Sequence, residues 1–160
     1  MPVLSRRLAL AAAAATVLAV ETARLATAQS VDAPAKLMDR YAEALRTNDL
    51  EAIIALYDAD GVFIRPGFPP VIGHTALRAA YKDVFDVLAV RVTFVIEEIE
   101  VAGDMAWLRS TSAGTVKELK TGIETRDAYN QIVVFKQARG IWRIRNYIYA
   151  PADAATPART

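Results

Sequence analysis

The stretch Val92–Val116, VTFVIEEIEVAGDMAWLRSTSAGTV, decides the fold. Val92, Phe94 and Ile96 alternate with Thr93 and Val95, the period of two that sends successive side chains to opposite faces of a strand. Gly103-Asp104 supplies a tight turn into a second strand, Met105 to Val116. Glu97-Glu98 breaks the alternation and predicts a bulge that curves the sheet. Downstream, Asp127–Phe135 and Ile141–Tyr149 read as two further strands joined across the Gln137 to Gly140 turn, which completes an antiparallel meander.

Upstream the period changes from two to that of a helix. Leu37, Met38, Tyr41, Ala42 and Leu45 recur at helical spacing between Ala35 and Arg46, and Asn48 can take the left-handed conformation that ends such a helix. Asp49 is an N-cap for a short second helix through Tyr57, with Leu50, Ile53, Ile54 and Tyr57 inward. Asp58-Ala59-Asp60-Gly61 reads as a turn, and Val62–Arg65 as a short strand. That strand is stopped by Pro66-Gly67-Phe68-Pro69-Pro70, where the prolines remove ladder donors and predict a rigid loop or hairpin. A third helix opens at Gly73 and Thr75 and runs to about Leu88, with an apolar stripe of Leu77, Tyr81, Val84, Phe85 and Leu88. Three helices before a long antiparallel sheet make an α+β pattern with the helices on one face.

At the start of the chain, Arg6 and Arg7 precede the apolar run Leu8–Val20, and Ala26-Thr27-Ala28 supplies the small-x-small pattern a signal peptidase accepts. The expectation is a signal peptide over residues 1–28 and a periplasmic or secreted mature protein without stable membrane insertion. Glu21 and Arg24 end the run short of the roughly 20 apolar residues that span a bilayer. Ser5-Arg6-Arg7-Leu8-Ala9-Leu10 also has the look of a twin-arginine signal, though Ala9 stands where a large apolar residue is preferred, so both export routes stay open. The tail Pro151–Thr160, rich in Ala, Pro and Thr, is expected to be disordered.

The 160 residues suit one domain, and 54% hydrophobic residues with a net charge of +1 predict a packed core. Removal of residues 1–28 takes three basic residues and one acidic residue, leaving 16 against 17 and a charge of −1. Such neutrality argues against electrostatic capture of nucleic acid or an anionic membrane and points to a small neutral ligand or a protein partner. The absence of cysteine rules out disulfides, thiolate metal sites and a cysteine nucleophile, and a single histidine rules out a multi-histidine centre. Asp58 and Asp60 are expected to satisfy backbone donors, and Glu97, Glu98 and Glu100 to form a solvated edge, so neither group predicts a metal. No cofactor is expected.

The order of elements over residues 35–150 resembles the nuclear transport factor 2-like superfamily, which includes ketosteroid isomerases and SnoaL-like cyclases. The strings that carry the resemblance are Tyr41-Ala42-Glu43-Ala44-Leu45, Asn48-Asp49-Leu50-Glu51-Ala52 and Leu56-Tyr57-Asp58-Ala59-Asp60-Gly61-Val62-Phe63. Pro69-Pro70-Val71-Ile72-Gly73 and Gly140-Ile141-Trp142-Arg143-Ile144 complete it. It implies a cone in which a curved antiparallel sheet wraps three helices around a largely apolar pocket, and a homodimer formed through the sheet.

In ketosteroid isomerases a tyrosine of the first helix donates to the substrate oxygen, and an aspartate just before a proline moves the proton. By that resemblance Tyr41 matches the tyrosine, but Arg65 stands where the base would be, before Pro66, and Gln131 stands where a second acid is expected. Steroid isomerisation by that route is therefore disfavoured. The candidate pocket residues are Tyr41, Arg65, Tyr129 and Gln131, with aromatic walls from Phe63, Tyr81 and Trp107. Two readings of Arg65 stand: inward, where it would prefer an anionic or carbonyl-bearing ligand, or solvated at a loop edge. Tyr41 reads either as a donor or as a core tyrosine with a satisfied hydroxyl. His74 begins the third helix and is expected at the surface.

In the last strand Trp142, Ile144 and Ile148 share a face with Asn146, which predicts Asn146 as a pocket polar group; Arg143, Arg145, Tyr147 and Tyr149 fall on the other face, a candidate dimer surface. A bulge would exchange the two sets. The favoured function is an exported, non-catalytic protein that binds a small hydrophobic or anionic molecule. The alternative is a ketosteroid isomerase-like or SnoaL-like enzyme, an isomerase, cyclase or hydrolase acting on a hydrophobic carbonyl compound.

Overall fold

Helical spacing in the first third of the chain is realised as α1, residues 33–47, which buries Leu37, Met38, Tyr41, Ala44 and Leu45 along one stripe. Asn48 ends it in the left-handed region (φ 53°), and the backbone closes with Asp49 N donating to Ala44 O at 2.9 Å. The Asp49 carboxylate then accepts from Ala52 N at 2.9 Å and caps α2, Leu50–Leu56. This computed structural model describes residues 33–152; the expected leader and residues 153–160 of the expected tail lie outside the described residues.

Among the described residues, α2 leads directly into β1 (Tyr57–Ile64), and the proline loop connects it to the two-residue β2 (Val71–Ile72). Helix α3 (Gly73–Val87) and the strands β3 (Leu88–Ala102), β4 (Met105–Glu118), β5 (Glu124–Ala138) and β6 (Ile141–Ala152) come after it. They form a single curved, unclosed sheet ordered β2-β1-β6-β5-β4-β3, with the helices packed on it. The architecture is the expected α+β one, with one correction: the sheet is mixed, because β1 runs parallel to β6. No short turn links those two strands, so nothing local forces them antiparallel, and the meander delivers β6 beside β1 in the same direction.

Three local departures from regular geometry shape the inner face of the sheet. Tyr57 is the first residue of β1 and not the last of α2, and Asp58–Gly61 form a swelling inside β1, because the β1/β6 register passes from Tyr57↔Ile144 to Val62↔Asn146. The turn chemistry predicted for that string is present, since Asp58 Oδ1 accepts from Ala59 N at 2.7 Å, but it is embedded in a strand. In β6 the register against β5 passes from Phe135↔Ile144 to Val134↔Asn146, so Arg145 is an extra residue. Its guanidinium reaches the β1 swelling, Nη1 donating to Asp60 O at 2.6 Å. Pro151 and Ala152, expected in a disordered tail, are instead paired in β6 against Tyr129 and Ala128.

The bulge predicted at Glu97 is present between Ile96 and Glu98 in the β3/β4 ladder. Near the other end of that ladder the strands approach so closely that a Cβ on Gly114 would lie 2.0 Å from Arg91 O, which only glycine tolerates. The core sits between the helices and the concave face of the sheet. Tyr57, Tyr81, Phe135, Met38, Ile53, Leu77, Leu108 and Ile144 are each less than 2% exposed. No helix among the described residues is long and apolar enough to cross a membrane.

Candidate ligand cavity

Helices α1 and α3 and strand β1 each bring one tyrosine to a common point. The Tyr81 hydroxyl lies 2.8 Å from that of Tyr41 and 2.7 Å from that of Tyr57, all three side chains being buried. Tyr147 of β6 packs on Tyr41 with ring centroids 5.1 Å apart, and Phe63 stacks on Tyr81 at 4.7 Å. Burial drives the phenols of Tyr41, Tyr57, Tyr81 and Tyr147 well above the usual tyrosine range; neighbouring phenols add to this at Tyr41, and hydrogen bonds from Tyr81 and Tyr147 oppose it there. They stay neutral and act as donors and acceptors, not as bases. The Tyr41–Tyr81–Tyr57 chain has three hydroxyl protons for two hydroxyl–hydroxyl contacts, so one of the three protons is not used between them.

Tyr41 and Tyr81 form part of the wall of a cavity of about 160 Å³ between the helices and β3–β6. Its remaining wall is mostly aliphatic and aromatic, with a polar strip contributed by β4 and β5. Gln131, 3% exposed, anchors that strip: its carbonyl oxygen accepts from Ser110 Oγ at 3.1 Å and its amide donates to Ser112 Oγ at 2.6 Å. Two positions along the same face stands Tyr129, whose hydroxyl donates to Asp127 Oδ2 at 2.7 Å. Partial burial and then the Asp127 bond push the Tyr129 phenol up. Asp127 also accepts from Thr125 Oγ1 at 3.3 Å and is itself a wall residue.

Of the predicted site residues, Tyr41, Tyr129 and Gln131 lie on the cavity wall, as do Phe63 and Tyr81; Arg65, Asn146 and Trp107 do not. Trp107 alternates with the buried Ala106 and Leu108 and so falls on the convex face. Asn146 is displaced by the Arg145 bulge: it pairs with Val62 and Val134, while Tyr147 becomes buried and Tyr149 turns onto the wall. This exchanges the two predicted faces beyond Ile144. Arg65 is half-buried beside the cavity, with its guanidinium carbon 4.5 Å from the Phe68 ring centroid and 5.8 Å from that of Phe63. Its Nε is shut off from solvent and has no acceptor, a deficit worth about 1–3 kcal/mol. His74 is half-buried rather than exposed, and its Nε2 donates to Tyr57 O at 3.2 Å, outside the cavity wall.

Sequence reasoning missed Asp127, Ser112 and the places of Tyr147 and Tyr149 beside Tyr41, whereas its hydroxyl partner Tyr81 was expected on the wall. Asp127 was legible: counting back by twos from Phe135 through Gln131 and Tyr129 reaches it on the same face. Tyr57, Tyr147 and Tyr149 were hidden by the irregularities of β1 and β6. No group of three or more acidic or histidine side chains able to hold a metal occurs among the described residues.

The model of the SnoaL-like domain matches residues 38–146. Among solved structures, a ketosteroid isomerase-like protein from Erwinia carotovora atroseptica is 27% identical with a TM-score of 0.73, over 79% of this chain and 97% of that one. A nuclear transport factor 2-like protein with a cystatin-like fold from Novosphingobium aromaticivorans is 22% identical with a TM-score of 0.65, over 86% and 90% of the two chains. No curated protein matches the chain. With the family model spanning both the helices and the curved sheet, this chain belongs to the SnoaL-like domain family of the nuclear transport factor 2-like superfamily.

Proposed function

We propose that the chain is an exported protein that holds a compact, largely apolar, oxygen-bearing molecule of about one ring in the cavity between its helices and its sheet. The observation that carries this reading is the cavity itself, about 160 Å³ and walled by aromatic side chains that include the hydroxyl-bearing Tyr41 and Tyr81. That volume is close to the roughly 150 Å³ that accommodates a benzene ring. It falls below the roughly 300 Å³ at which pockets for drug-sized ligands begin. With arginine at position 65, the base that steroid isomerisation would need by the family resemblance is absent.

The test is saturation-transfer NMR with cyclohexanone and with a steroid ketone. Cyclohexanone binding that is lost in Val92→Phe, which fills the cavity from β3, supports the reading. Equal binding by wild type and variant sinks it.

A catalytic reading is favoured by one observation, the Asp127 carboxylate on the cavity wall with the Tyr129 hydroxyl 2.7 Å away. A carboxylate so placed can take a proton from the carbon next to a carbonyl. Wild-type protein that exchanges the α-hydrogens of cyclohexanone for deuterium faster than buffer, with the gain lost in Asp127→Asn, makes the protein an enzyme; no exchange leaves it a binder.

The remaining parts of the reading rest on sequence and surface. The basic-apolar-small pattern of residues 1–28 supports export, which N-terminal sequencing of the mature protein tests. Exposed Val95, Ile132 and Ile148 on the convex face, which no helix covers, support a homodimer through the sheet, tested by sedimentation.

A further inference from the structure

We propose that Arg65 is the anion anchor of this cavity, and that the molecule bound is a monocyclic carboxylic acid whose ring enters the aromatic cavity while its carboxylate lies on the guanidinium. The inference rests on the cavity-binding reading above and adds the charge and orientation of the occupant.

Four observations converge on it. Arg65 lies against Phe63, whose ring is part of the cavity wall, so the cation and the cavity share a side chain. Phe68, itself 60% exposed, lies 4.5 Å from the guanidinium carbon in a second cation–π contact, so the guanidinium sits among aromatic rings on the cavity side of the loop. No carboxylate among the described residues pairs with it, and its Nε, closed to solvent, lacks any acceptor. A partly buried cation without a counter-ion calls for an anion, and a carboxylate can meet the outer Nη1–Nη2 side of the guanidinium with two parallel hydrogen bonds. Finally, Tyr149 on the cavity wall is pushed up by burial and drawn back down by the Arg65 charge, so that charge is felt where a ligand would sit.

Asp127 supplies the direction. It stands at the Tyr129 end of the wall, and Tyr129 packs edge-on against Tyr149 at 5.3 Å; Arg65 follows Ile64, which pairs with Ile148, and so lies next to Tyr149 across the β1/β6 seam. A carboxylate is repelled from the Asp127 end and attracted to the Arg65 end, which orients an acid and leaves a neutral ring without preference.

Isothermal titration of the whole protein with benzoate and with benzamide, its neutral counterpart of the same shape, tests this. Wild type is expected to bind benzoate at least about tenfold more tightly than benzamide, with the preference shrinking as salt is raised. Arg65→Gln is expected to lose that preference while keeping its affinity for benzamide, which reports an intact cavity. Arg65→Lys, which retains charge without the planar fork, is expected to fall between the two. Equal affinities of wild type for the two probes overturn the inference and leave the cavity reading standing. Benzoate preference retained by Arg65→Gln overturns it as well. If wild type binds neither probe, the cavity reading falls and takes the inference with it.

Discussion

The two ends of β5 face the same side of the sheet and do opposite things. Phe135 and Val133 are fully buried against the helices, and Gln131 is 3% exposed with its amide bonded to two serines. Farther along, Tyr129 and Asp127 are half-buried and border open space. One strand thus passes from hydrocarbon to amide to phenol to carboxylate as the helices fall away from it. Where α1 and α2 cover the sheet, side chains are chosen for packing. Where they stop, the uncovered inner face becomes a wall, and polar groups appear in proportion to the solvent or ligand available to them.

The largest effect that tests this contrast comes from truncating its two ends. Phe135→Ala should cost about 3–5 kcal/mol in urea unfolding, because a ring with no exposed surface leaves a cavity behind. Tyr129→Ala, at the open end, should cost about 1 kcal/mol or less. Similar losses at the two positions would erase the distinction between core and wall.

A smaller loss, about 2 kcal/mol, is expected for Tyr81→Phe. That hydroxyl is the one that touches both Tyr41 and Tyr57, so its removal strands two buried hydroxyls while leaving the packing nearly unchanged. Tyr57→Phe, at the end of the chain, should cost less; the reverse order would mean that the hydroxyls do not act as a connected chain.

The smallest effect near neutral pH, and a growing one above it, comes from the phenols themselves. Tyr41, Tyr57, Tyr81 and Tyr147 are held neutral in the fold, chiefly by burial, at pH values where tyrosines of the unfolded chain ionise. Their folded values exceed the unfolded one near 10, so stability is undiminished below about pH 10 and falls above it, as the unfolded state releases protons that the folded state keeps. Each such phenol should remove about 1 kcal/mol per pH unit in that range. Tyr81→Phe should make the decline shallower by one group. A flat profile through the alkaline range would mean that water reaches these hydroxyls.

The helices and the meander were legible because their signals are local. Asn48 and Asp49 mark the end of one helix and the start of the next, and Glu97 marks its own bulge by breaking an alternation. What escaped depends on partners distant in the chain. The parallel pairing of β1 with β6 is decided by where the meander ends, and the extra Arg145 is defined only against β5. That single residue explains why Asn146 leaves its predicted face and why Tyr149 takes a place on the wall. At the site, Tyr41, Tyr129 and Gln131 followed from the family resemblance and from strand register, whereas Asp127 escaped because it opens a predicted strand and reads as a boundary.

The swelling at Asp58–Gly61 and the extra Arg145 oppose each other across the β1/β6 seam and are joined by the Arg145 contact to Asp60 O. They behave like a tooth and its notch. A chain that lost either alone would have to slide one strand by a residue, turning Tyr147 and Tyr149 outward and emptying half the wall. Descendants of this protein should therefore keep both irregularities or discard both together, and the lengths of these two short segments should change in step.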